Sequence, residues 1–313
     1  MYSDSHQFRI PTEIPKIRID KWLCVTLGDT SRTEIQQWIR SGNVTVNGKT
    51  TTPGTLLSPG MEIVVTPPHR EEGKAPQPED RPLDILFEDE HLVAINKPSG
   101  QVVHPAPGHP GNTLVNALLH RYPELSGVGP PERPGVVHRL DADTSGVILF
   151  ARSSISLGRL QEQFRNRTTQ KTYLCVCRGI PNPISQTVRT PIGRHPVHRQ
   201  KRHVNGIGAR EALTTFSMRR GYANGEASEL EVQIETGRTH QIRVHLSSLD
   251  HPILGDPVYG GRRTTLPTPW PAPPRLMLHA AAIRFTHPDT GTEIQVTAPP
   301  PPAYITYLEL LSH

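Results

Sequence analysis

A proline-rich and highly charged stretch divides the chain into two very unequal parts. It covers residues 67–82, PPHREEGKAPQPEDRP, with five Pro and seven charged residues among sixteen positions. Proline cannot donate a backbone hydrogen bond, and a segment of this composition is typical of a linker. We therefore predict four regions in the 313-residue chain: an N-terminal extension over 1–16, a small domain over 17–66, the linker over 67–82 and a large domain over 83–313.

The composition excludes several classes of protein. The 25 Gly and 33 Pro residues together make up 58 of 313 positions, which indicates a mixed fold with many turns and not a helical bundle. No apolar run approaches the roughly 18 residues that span a bilayer, and the N-terminus MYSDSHQFRI lacks a signal-peptide core. The three cysteines, Cys24, Cys175 and Cys177, form no CxxC pair. We expect a cytoplasmic protein with reduced thiols and no membrane partner.

Positive charge is concentrated in one part of the chain. The formal net charge is +5, but the stretch from Lys171 to Arg220 contains ten Lys and Arg against the single acid Glu211, which is +9 in fifty residues. A local excess of this size attracts phosphate groups. The rest of the chain is nearly balanced, so we expect a polyanionic partner to be held at one place.

Residues 17–66 have the pattern of two short helices and a small sheet. Apolar residues at helical spacing predict a helix over 18–27. Ser31, with Glu34 three residues later, fits a capping box at the start of a second helix over 32–40. The remaining elements are strands, over 44–46 and 62–66, with a tight turn at Asn47-Gly48 between them.

Residues 83–313 alternate between short strand-like and helical runs. Strands in consecutive pairs with helices inserted favour an α+β fold with a largely antiparallel sheet. No Gly-rich phosphate loop is present, so a nucleotide cofactor is not indicated. The predicted strands cover 84–88, 91–96, 145–151, 171–177, 228–234, 278–286 and 293–298, and the predicted helices cover 113–120, 155–164 and 239–249.

The segment PGVVHRLDADTSGVI, residues 134–148, places charged and small residues between two apolar runs. A loop between buried strands would expose His138, Arg139 and Asp141 at a strand end, where functional sites often lie. An ion pair between Arg139 and Asp141 in a surface turn is the alternative that the segment alone leaves open.

A second segment, ETGRTHQIRVHL over 235–246, supplies complementary groups. A strand ends at its TG and a helix then begins, so Arg238, His240, Gln241 and Arg243 gather near a helix N-terminus. Such a place favours an anion or a carboxylate. The histidine spacing of the chain does not predict a metal site, because His240 and His245 do not share a helical face.

Several segments, in order, resemble the RluA-type pseudouridine synthase family. They are NKPSGQVVHPAPGHPGNTLVNALLHRYPEL, GVVHRLDADTSGVILFAR, QKTYLCVCRG, PIGRHP, ETGRTHQIRVHL, HPILGDPVYGG and LHAAAIRFTHPDTG, which span about 82–300. RIDKWL, TSRTEIQQWIRSGNVTVNGK and LLSPGMEIVV are similar to the S4 RNA-binding domain. The large-subunit ribosomal RNA pseudouridine synthase D subgroup is the most similar. The resemblance implies a pseudouridine synthase fold, an α+β fold whose largely antiparallel mixed sheet has a central cleft, preceded by a small S4 domain.

The reaction that this resemblance implies is the isomerisation of uridine to pseudouridine in RNA. The N1–C1′ bond breaks, the bound uracil rotates and C5 joins C1′, so no cofactor or metal is required. By resemblance, Asp141 is the essential carboxylate, either as a nucleophile at the sugar or as a base. Arg243 is the arginine that pairs with Asp141, and Tyr173 packs against the target base and offers a hydroxyl for proton removal from C5.

The resemblance also implies a set of RNA contacts. Arg139 would occupy the space that the target base leaves when it is extruded from its stack, a step that costs least in loops. The basic run from Arg194 to His203 and the helix terminus with Arg238 would hold phosphates. In the S4 domain the corresponding residues are Arg18, Lys21 and Arg32. The expected partners are large-subunit ribosomal RNA and the assembling subunit, bound by a monomer.

The sequence leaves two functions of other classes to compare with the synthase. A non-catalytic, S4-type ribosome-assembly factor would use the large domain as a clamp, and its carboxylate would be dispensable; a phosphate clamp gains nothing from Asp141 beside its arginine. A glycoside hydrolase would need a second carboxylate, and Asp143 has no such role in the family pattern. The sequence therefore favours the synthase.

Overall fold

The computed structural model describes residues 5–27, 30, 32–67, 75–106, 108–198 and 201–312. The chain divides into two compact units, with the boundary between Gly73 and Lys74. Within the described ranges, no helix has the length and apolar character needed to cross a membrane.

Two helices lie against a four-stranded sheet in the small unit. The helices are α1 (Ile19–Leu27) and α2 (Arg32–Arg40), and the strands are β1 (His6–Arg9), β2 (Val44–Val46), β3 (Lys49–Thr50) and β4 (Glu62–Val65). All pairs are antiparallel, in the order β1-β4-β2-β3. Ile19, Leu23, Ile35 and Ile39 are buried between helices and sheet, as the helical spacing predicts.

The sequence interpretation missed one strand of this sheet. β1 lies inside the region that we predicted to be a separate extension, 1–16, and pairs with β4 from His6 opposite Val65 to Arg9 opposite Glu62. Asn47 and Gly48 have φ angles of +49° and +74°, the left-handed geometry of a tight hairpin turn. The predicted cap residue Ser31 lies outside the described residues.

The large unit contains four helices and twelve strands in its described part. The helices are α3 (Leu114–Arg121), α4 (Ser154–Asn166), α5 (Gln241–Ser248) and α6 (Pro302–Leu310). The strands are β5 (Ile85–Glu88), β6 (Leu92–Lys97), β7 (Ser145–Ala151), β8 (Gln170–Arg178), β9 (Ser185–Val188), β10 (Ile192–Arg194), β11 (Arg202–Val204), β12 (Ile207–Arg210), β13 (Thr214–Tyr222), β14 (Ala227–Ile234), β15 (Leu278–Thr286) and β16 (Glu293–Thr297).

Nine of these strands form one sheet in the order β5-β6-β7-β15-β8-β14-β13-β9, with β16 paired to β15. The sheet is antiparallel except where β7 and β15 run parallel at Ser145 and Gly146. A Cβ atom at Gly146 would lie 2.1 Å from the Ala280 carbonyl oxygen, so position 146 must be glycine for β7 to approach β15. The predicted α+β fold with a largely antiparallel sheet is confirmed.

A smaller sheet, β11-β10-β12, lies beside α5. Ile192 of β10, Val244 of α5 and Tyr259 form a separate buried cluster that joins this sheet to the loop after α5. The sequence interpretation did not predict β9 to β13. β9 to β12 are only three or four residues long, and β13, although it has nine residues, has little apolar alternation.

Residues 75–82 of the predicted linker contact the large unit. The Glu79 amide donates to the Asn116 carbonyl at 3.0 Å, and the Asn116 side chain donates to the Gln77 carbonyl at 2.7 Å. The second half of the predicted linker is therefore attached to α3.

Candidate active site

A cleft of about 550 Å³ opens where the turn before β7 meets the strand ends and the start of α5. This volume includes space that is open to solvent. The two motifs that the sequence singled out, separated by about a hundred residues, both reach it. Its charged and aromatic lining residues are Arg139, Asp141, Tyr173, Arg238, His240 and Arg243.

Asp141 is a partly buried carboxylate held by a buried arginine. Arg243 Nη1 donates to Asp141 Oδ2 at 3.1 Å, and the exposed fractions of the two side chains are 4% for Arg243 and 19% for Asp141. A charge-assisted hydrogen bond of this kind fixes the carboxylate orientation. The surface ion pair between Arg139 and Asp141, the alternative from sequence, does not occur, since the partner of Asp141 is Arg243.

A second carboxylate, Asp256, holds Arg243 from the other side. Arg243 Nε and Nη2 donate to the two oxygens of Asp256, each at 2.8 Å. Asp256 also accepts from the backbone amides of Val258 and Tyr259, at 2.8 and 3.0 Å. Burial lowers the pKa of Arg243, but the hydrogen bonds and charges of Asp256 and Asp141 outweigh it and raise that pKa above its ordinary value. Arg243 is thus a permanently charged, rigid support.

His240 lies beside Asp141 in a fixed orientation. Its Nε2 is 3.9 Å from Asp141 Oδ2, and its Nδ1 is 2.8 Å from the hydroxyl of Tyr259, which accepts from the Arg202 amide at 2.8 Å. The bond at Nδ1 fixes the orientation of the imidazole ring, with Nε2 facing Asp141. Burial lowers the pKa of His240 and Arg243 opposes its charging, although Asp141 favours it.

Tyr173 forms an apolar wall of the cleft. It lies in the middle of the sheet on β8, between Val232 of β14 and Ala280 of β15, and is 9% exposed. Burial and the nearby charge of Asp141 raise the pKa of Tyr173 well above its ordinary value. The phenol is therefore neutral at neutral pH and offers a ring face and a hydroxyl.

Lys97 supports the backbone of the turn that contains Asp141. The sequence analysis predicted a role neither for Lys97 nor for Asp256. Lys97 is fully buried at the end of β6, and its Nζ donates to the carbonyls of Pro98, Gln101 and Ala142 at 2.8, 2.9 and 2.6 Å. Burial, followed by the charge of Arg275, lowers the pKa of Lys97 from 10.5 to about 7.

Two further contacts hold the same turn. Ser99 Oγ donates to the Asp143 carbonyl at 2.7 Å, and the Gly100 amide donates to the Ala142 carbonyl at 2.9 Å. The segment NKPSG, residues 96–100, therefore positions the backbone on which Asp141 lies.

The other predicted site residues lie in different places, some in the cleft and some outside it. Arg139 and Arg238 line the cleft, and Arg238 Nε donates to the Glu211 carbonyl at 2.9 Å. Arg194 is exposed on β10, outside the cleft lining. His138 accepts a hydrogen bond from the Leu149 amide at 3.0 Å, so it has a structural role. The predicted S4 contacts, Arg18, Lys21 and Arg32, lie in the small unit.

The basic run after Arg194 carries a cluster of histidines. The His195 ring centroid lies 4.9 Å from that of His198 and 5.4 Å from that of His203. Among the residues that the structure describes, no group of three His, Cys, Asp or Glu has the geometry to hold a metal ion.

Comparisons with known proteins identify the family. The RNA pseudouridylate synthase family model matches residues 91–248, and the S4 domain model matches residues 17–63. The chain is 40% identical over 306 residues to ribosomal large subunit pseudouridine synthase D of Xanthomonas campestris, which covers 96% of this chain and 90% of that protein. It is 44% identical over 293 residues to an uncharacterized RNA pseudouridine synthase of Chloroflexus aurantiacus, covering 93% and 88%.

A solved structure agrees with this assignment. Human RNA pseudouridylate synthase domain containing 1 superposes with a TM-score of 0.57 at 27% identity, over 73% of this chain and 89% of that one. The chain belongs to the RNA pseudouridine synthase family and carries an S4 domain. The predicted enzyme class, resemblance and RNA substrate are confirmed at this level.

Proposed function

We propose that this protein converts uridine to pseudouridine in large-subunit ribosomal RNA, with Asp141 as the reacting carboxylate. The observation that carries the proposal is the arrangement of Asp141, which is bound by the buried Arg243 in a cleft that Tyr173 and Arg139 also line. The substrate class follows from relatives named ribosomal large subunit pseudouridine synthase D.

The geometry supports a defined division of labour. Arg243 keeps Asp141 oriented towards a bound ribose, where the carboxylate attacks C1′ or removes the proton from C2′. In either route the electrons of the N1–C1′ bond leave with uracil, and the base rotates. C5 then bonds to C1′ as the ester bond from Asp141 to C1′ breaks or, in the second route, as Asp141 returns the proton to C2′. The proton on C5 is lost as N1 gains one. Atoms and charge balance within the substrate, so this route requires no cofactor.

Tyr173 is proposed to pack against the rotating base. Its raised pKa keeps the phenol neutral, and a neutral phenol is a poor base, so packing is its main role. If the hydroxyl takes the proton from C5, it must pass its own proton to a second acceptor. Arg139, exposed at the rim, is proposed to fill the space that the extruded uridine leaves.

The remaining cations are proposed to hold the RNA around the target. Arg238 at the cleft and Arg194 on β10 would bind phosphates near the target loop, and Arg18, Lys21 and Arg32 would bind a second part of the RNA. We also propose that the protein is a monomer and that it acts on the assembling large ribosomal subunit. Exposed cations of this kind bind with a strong dependence on salt.

A purely clamping function is disfavoured by the state of Arg243. Three of its nitrogens are bonded to Asp141 and Asp256, and its side chain is 4% exposed, so it cannot hold an RNA phosphate. The cluster orients the carboxylate of Asp141 towards the cleft, which a phosphate clamp does not require.

The Asp141→Asn variant tests the proposal. It should lose at least about 10³-fold of the tritium release from RNA labelled at uridine C5, because the amide can neither attack nor accept the proton, while RNA affinity stays unchanged. Asp143→Asn, in the same turn but outside the cleft lining, is the matched control and should stay within about threefold of the parent. Full activity of Asp141→Asn would overturn the proposal.

The choice of uridine is a separate question with its own experiment. Carbodiimide primer extension on ribosomal RNA from cells with and without this protein should show pseudouridines in large-subunit loops that disappear with the protein. A change confined to another RNA class would contradict the proposed substrate and leave the chemistry intact.

A further inference from the structure

A second arginine–aspartate cluster lies in the small unit and has a different geometry. Asp20, in the first turn of α1, is fully buried. Its Oδ2 accepts from Arg18 Nη2 at 3.2 Å, from Arg32 Nε and Nη2 at 3.1 and 3.0 Å, and from Gln36 Nε2 at 2.5 Å. One carboxylate oxygen thus connects the residue before α1 with the first two turns of α2.

The two arginines of this cluster are open to solvent although their anchor is not. The side chains of Arg18 and Arg32 are 47% and 49% exposed, and that of Asp20 is 0% exposed. Arg18 uses one nitrogen on Asp20 and Arg32 uses two; no other described residue bonds their remaining N–H groups. Since a guanidinium has five N–H donors, both present further donors outwards.

Without Asp20 this arrangement would be unfavourable. Two guanidiniums that share one oxygen as acceptor carry like charges a few ångströms apart, and they repel each other. Burial raises the pKa of Asp20, but the hydrogen bonds from Gln36 and Arg32 and the charges of Arg32 and Arg18 outweigh it and lower that pKa. The carboxylate is therefore ionised and compensates one of the two positive charges.

We propose that Asp20 is a positioning residue that presents Arg18 and Arg32 as a paired site for one RNA phosphate. A phosphate has several acceptor oxygens and matches two adjacent guanidinium forks. The inference rests on the proposed RNA-binding function of Arg18 and Arg32 and deepens it. It states that the buried Asp20 holds the two arginines in place, although Asp20 has the same negative charge as the RNA.

For Asp20→Asn we expect a change in RNA affinity opposite to the one that net charge alone predicts. Asp20→Asn removes a negative charge from an RNA-binding unit, so electrostatic attraction alone predicts tighter binding of RNA. Asn keeps the shape of the side chain but loses the charge-assisted acceptor, so the arginines separate and the paired site is lost. We expect binding at least about tenfold weaker, the size of one charge-assisted contact.

The experiment measures the affinity of the full-length protein for an RNA hairpin of about 30 nucleotides that is derived from large-subunit ribosomal RNA. Glu62→Gln is the matched control: Glu62 is exposed on β4 of the same unit, and the substitution makes the same change in net charge. The control should bind as tightly as the parent or slightly tighter. If Asp20→Asn binds as tightly as Glu62→Gln, the inference is wrong.

A third protein separates positioning from unfolding of the small unit. In an Arg18→Ala, Arg32→Ala background, adding Asp20→Asn should cause no further loss of affinity, because the residues that it positions are gone. A further loss of similar size would show that Asp20 acts through the fold and would overturn the inference. If the double arginine variant itself binds like the parent, the proposed RNA contact of the small unit fails, which is a distinguishable result.

Discussion

Two arginine–aspartate clusters in this protein are built in opposite ways. In the large unit the arginine is buried: Arg243 is 4% exposed and is held between two carboxylates, one of which, Asp141, faces the cleft. In the small unit the carboxylate is buried: Asp20 is 0% exposed, and Arg18 and Arg32 face solvent. The group that is left accessible differs, although the ion-pair chemistry is the same.

The difference shows what each unit can do. An accessible carboxylate fixed by a buried cation can react with a substrate but repels RNA phosphates at long range. Accessible guanidiniums fixed by a buried carboxylate attract phosphates but offer no nucleophile or base. Burial of one partner fixes the geometry in both clusters. In the large unit, where Arg243 and Asp256 are both buried, breaking the ion pair costs about 3–5 kcal/mol. The comparison therefore separates reaction from binding.

Among the residues that support Asp141, the largest effect is expected for Arg243→Lys. The ammonium of lysine cannot make the two-pronged contact with Asp256 and reach Asp141 together, so the carboxylate loses its orientation. The rate of pseudouridine formation in single turnover should fall about 10²- to 10³-fold. RNA affinity should change less than about twofold, because the side chain is buried. A loss of affinity with an intact rate would place Arg243 in the binding class and break the comparison.

Asp256→Asn is expected to have the next largest effect. The variant leaves the buried Arg243 with only half of its carboxylate partners, so the free energy of unfolding should fall by about 3 kcal/mol. The rate should fall about tenfold or more, because Asp256 fixes the support of Asp141. Urea unfolding and single-turnover rates measure the two effects. Unchanged stability would show that Asp256 is not part of the large-unit cluster.

The smallest effect in this series concerns Lys97, a buried cation that is bonded to carbonyls and not to a carboxylate. Its pKa is lowered to about 7 by burial and by the charge of Arg275, whereas an unfolded lysine titrates near 10.5. Between these pH values the unfolded chain binds more protons, so this group makes the free energy of unfolding rise with pH.

Lys97→Met removes this contribution. The free energy of unfolding of the parent minus that of the variant should increase by about 2 kcal/mol between pH 7 and pH 9. The other titrating groups are the same in both proteins, so their contributions cancel in this difference. Urea unfolding at the two pH values is the measurement. A difference that is flat with pH would mean that Lys97 keeps its proton in the fold, as an ion-paired cation would.

Much of this arrangement was predictable from residues close in sequence. Asp141, Tyr173 and Arg243 lie in motifs with distinctive neighbours, and β7 and α2 were predicted at their observed bounds because β7 is a continuous apolar run and α2 follows a capping-box pattern. These predictions depend on local patterns, which a sequence displays directly.

The residues that were missed act over long distances in sequence. Asp256 follows Arg243 by 13 positions in a loop without periodicity, and Lys97 holds the Ala142 carbonyl across 45 positions. The signal for Asp256 was its place in GDPVYG, one of the segments quoted for the resemblance; the signal for Lys97 was a charge at the end of the apolar run LVAIN. The roles of Asp256 and Lys97 depend on their burial by tertiary packing, which no local sequence pattern encodes.

One paired measurement tests the separation of reaction from binding most directly: single-turnover pseudouridine formation at saturating RNA, together with RNA affinity, for Asp141→Asn and Asp20→Asn. The account predicts that Asp141→Asn loses the rate and keeps the affinity, whereas Asp20→Asn loses affinity and keeps the rate once the RNA is saturating. Equal losses of both quantities in the two variants, or an unaffected rate in Asp141→Asn, would contradict it.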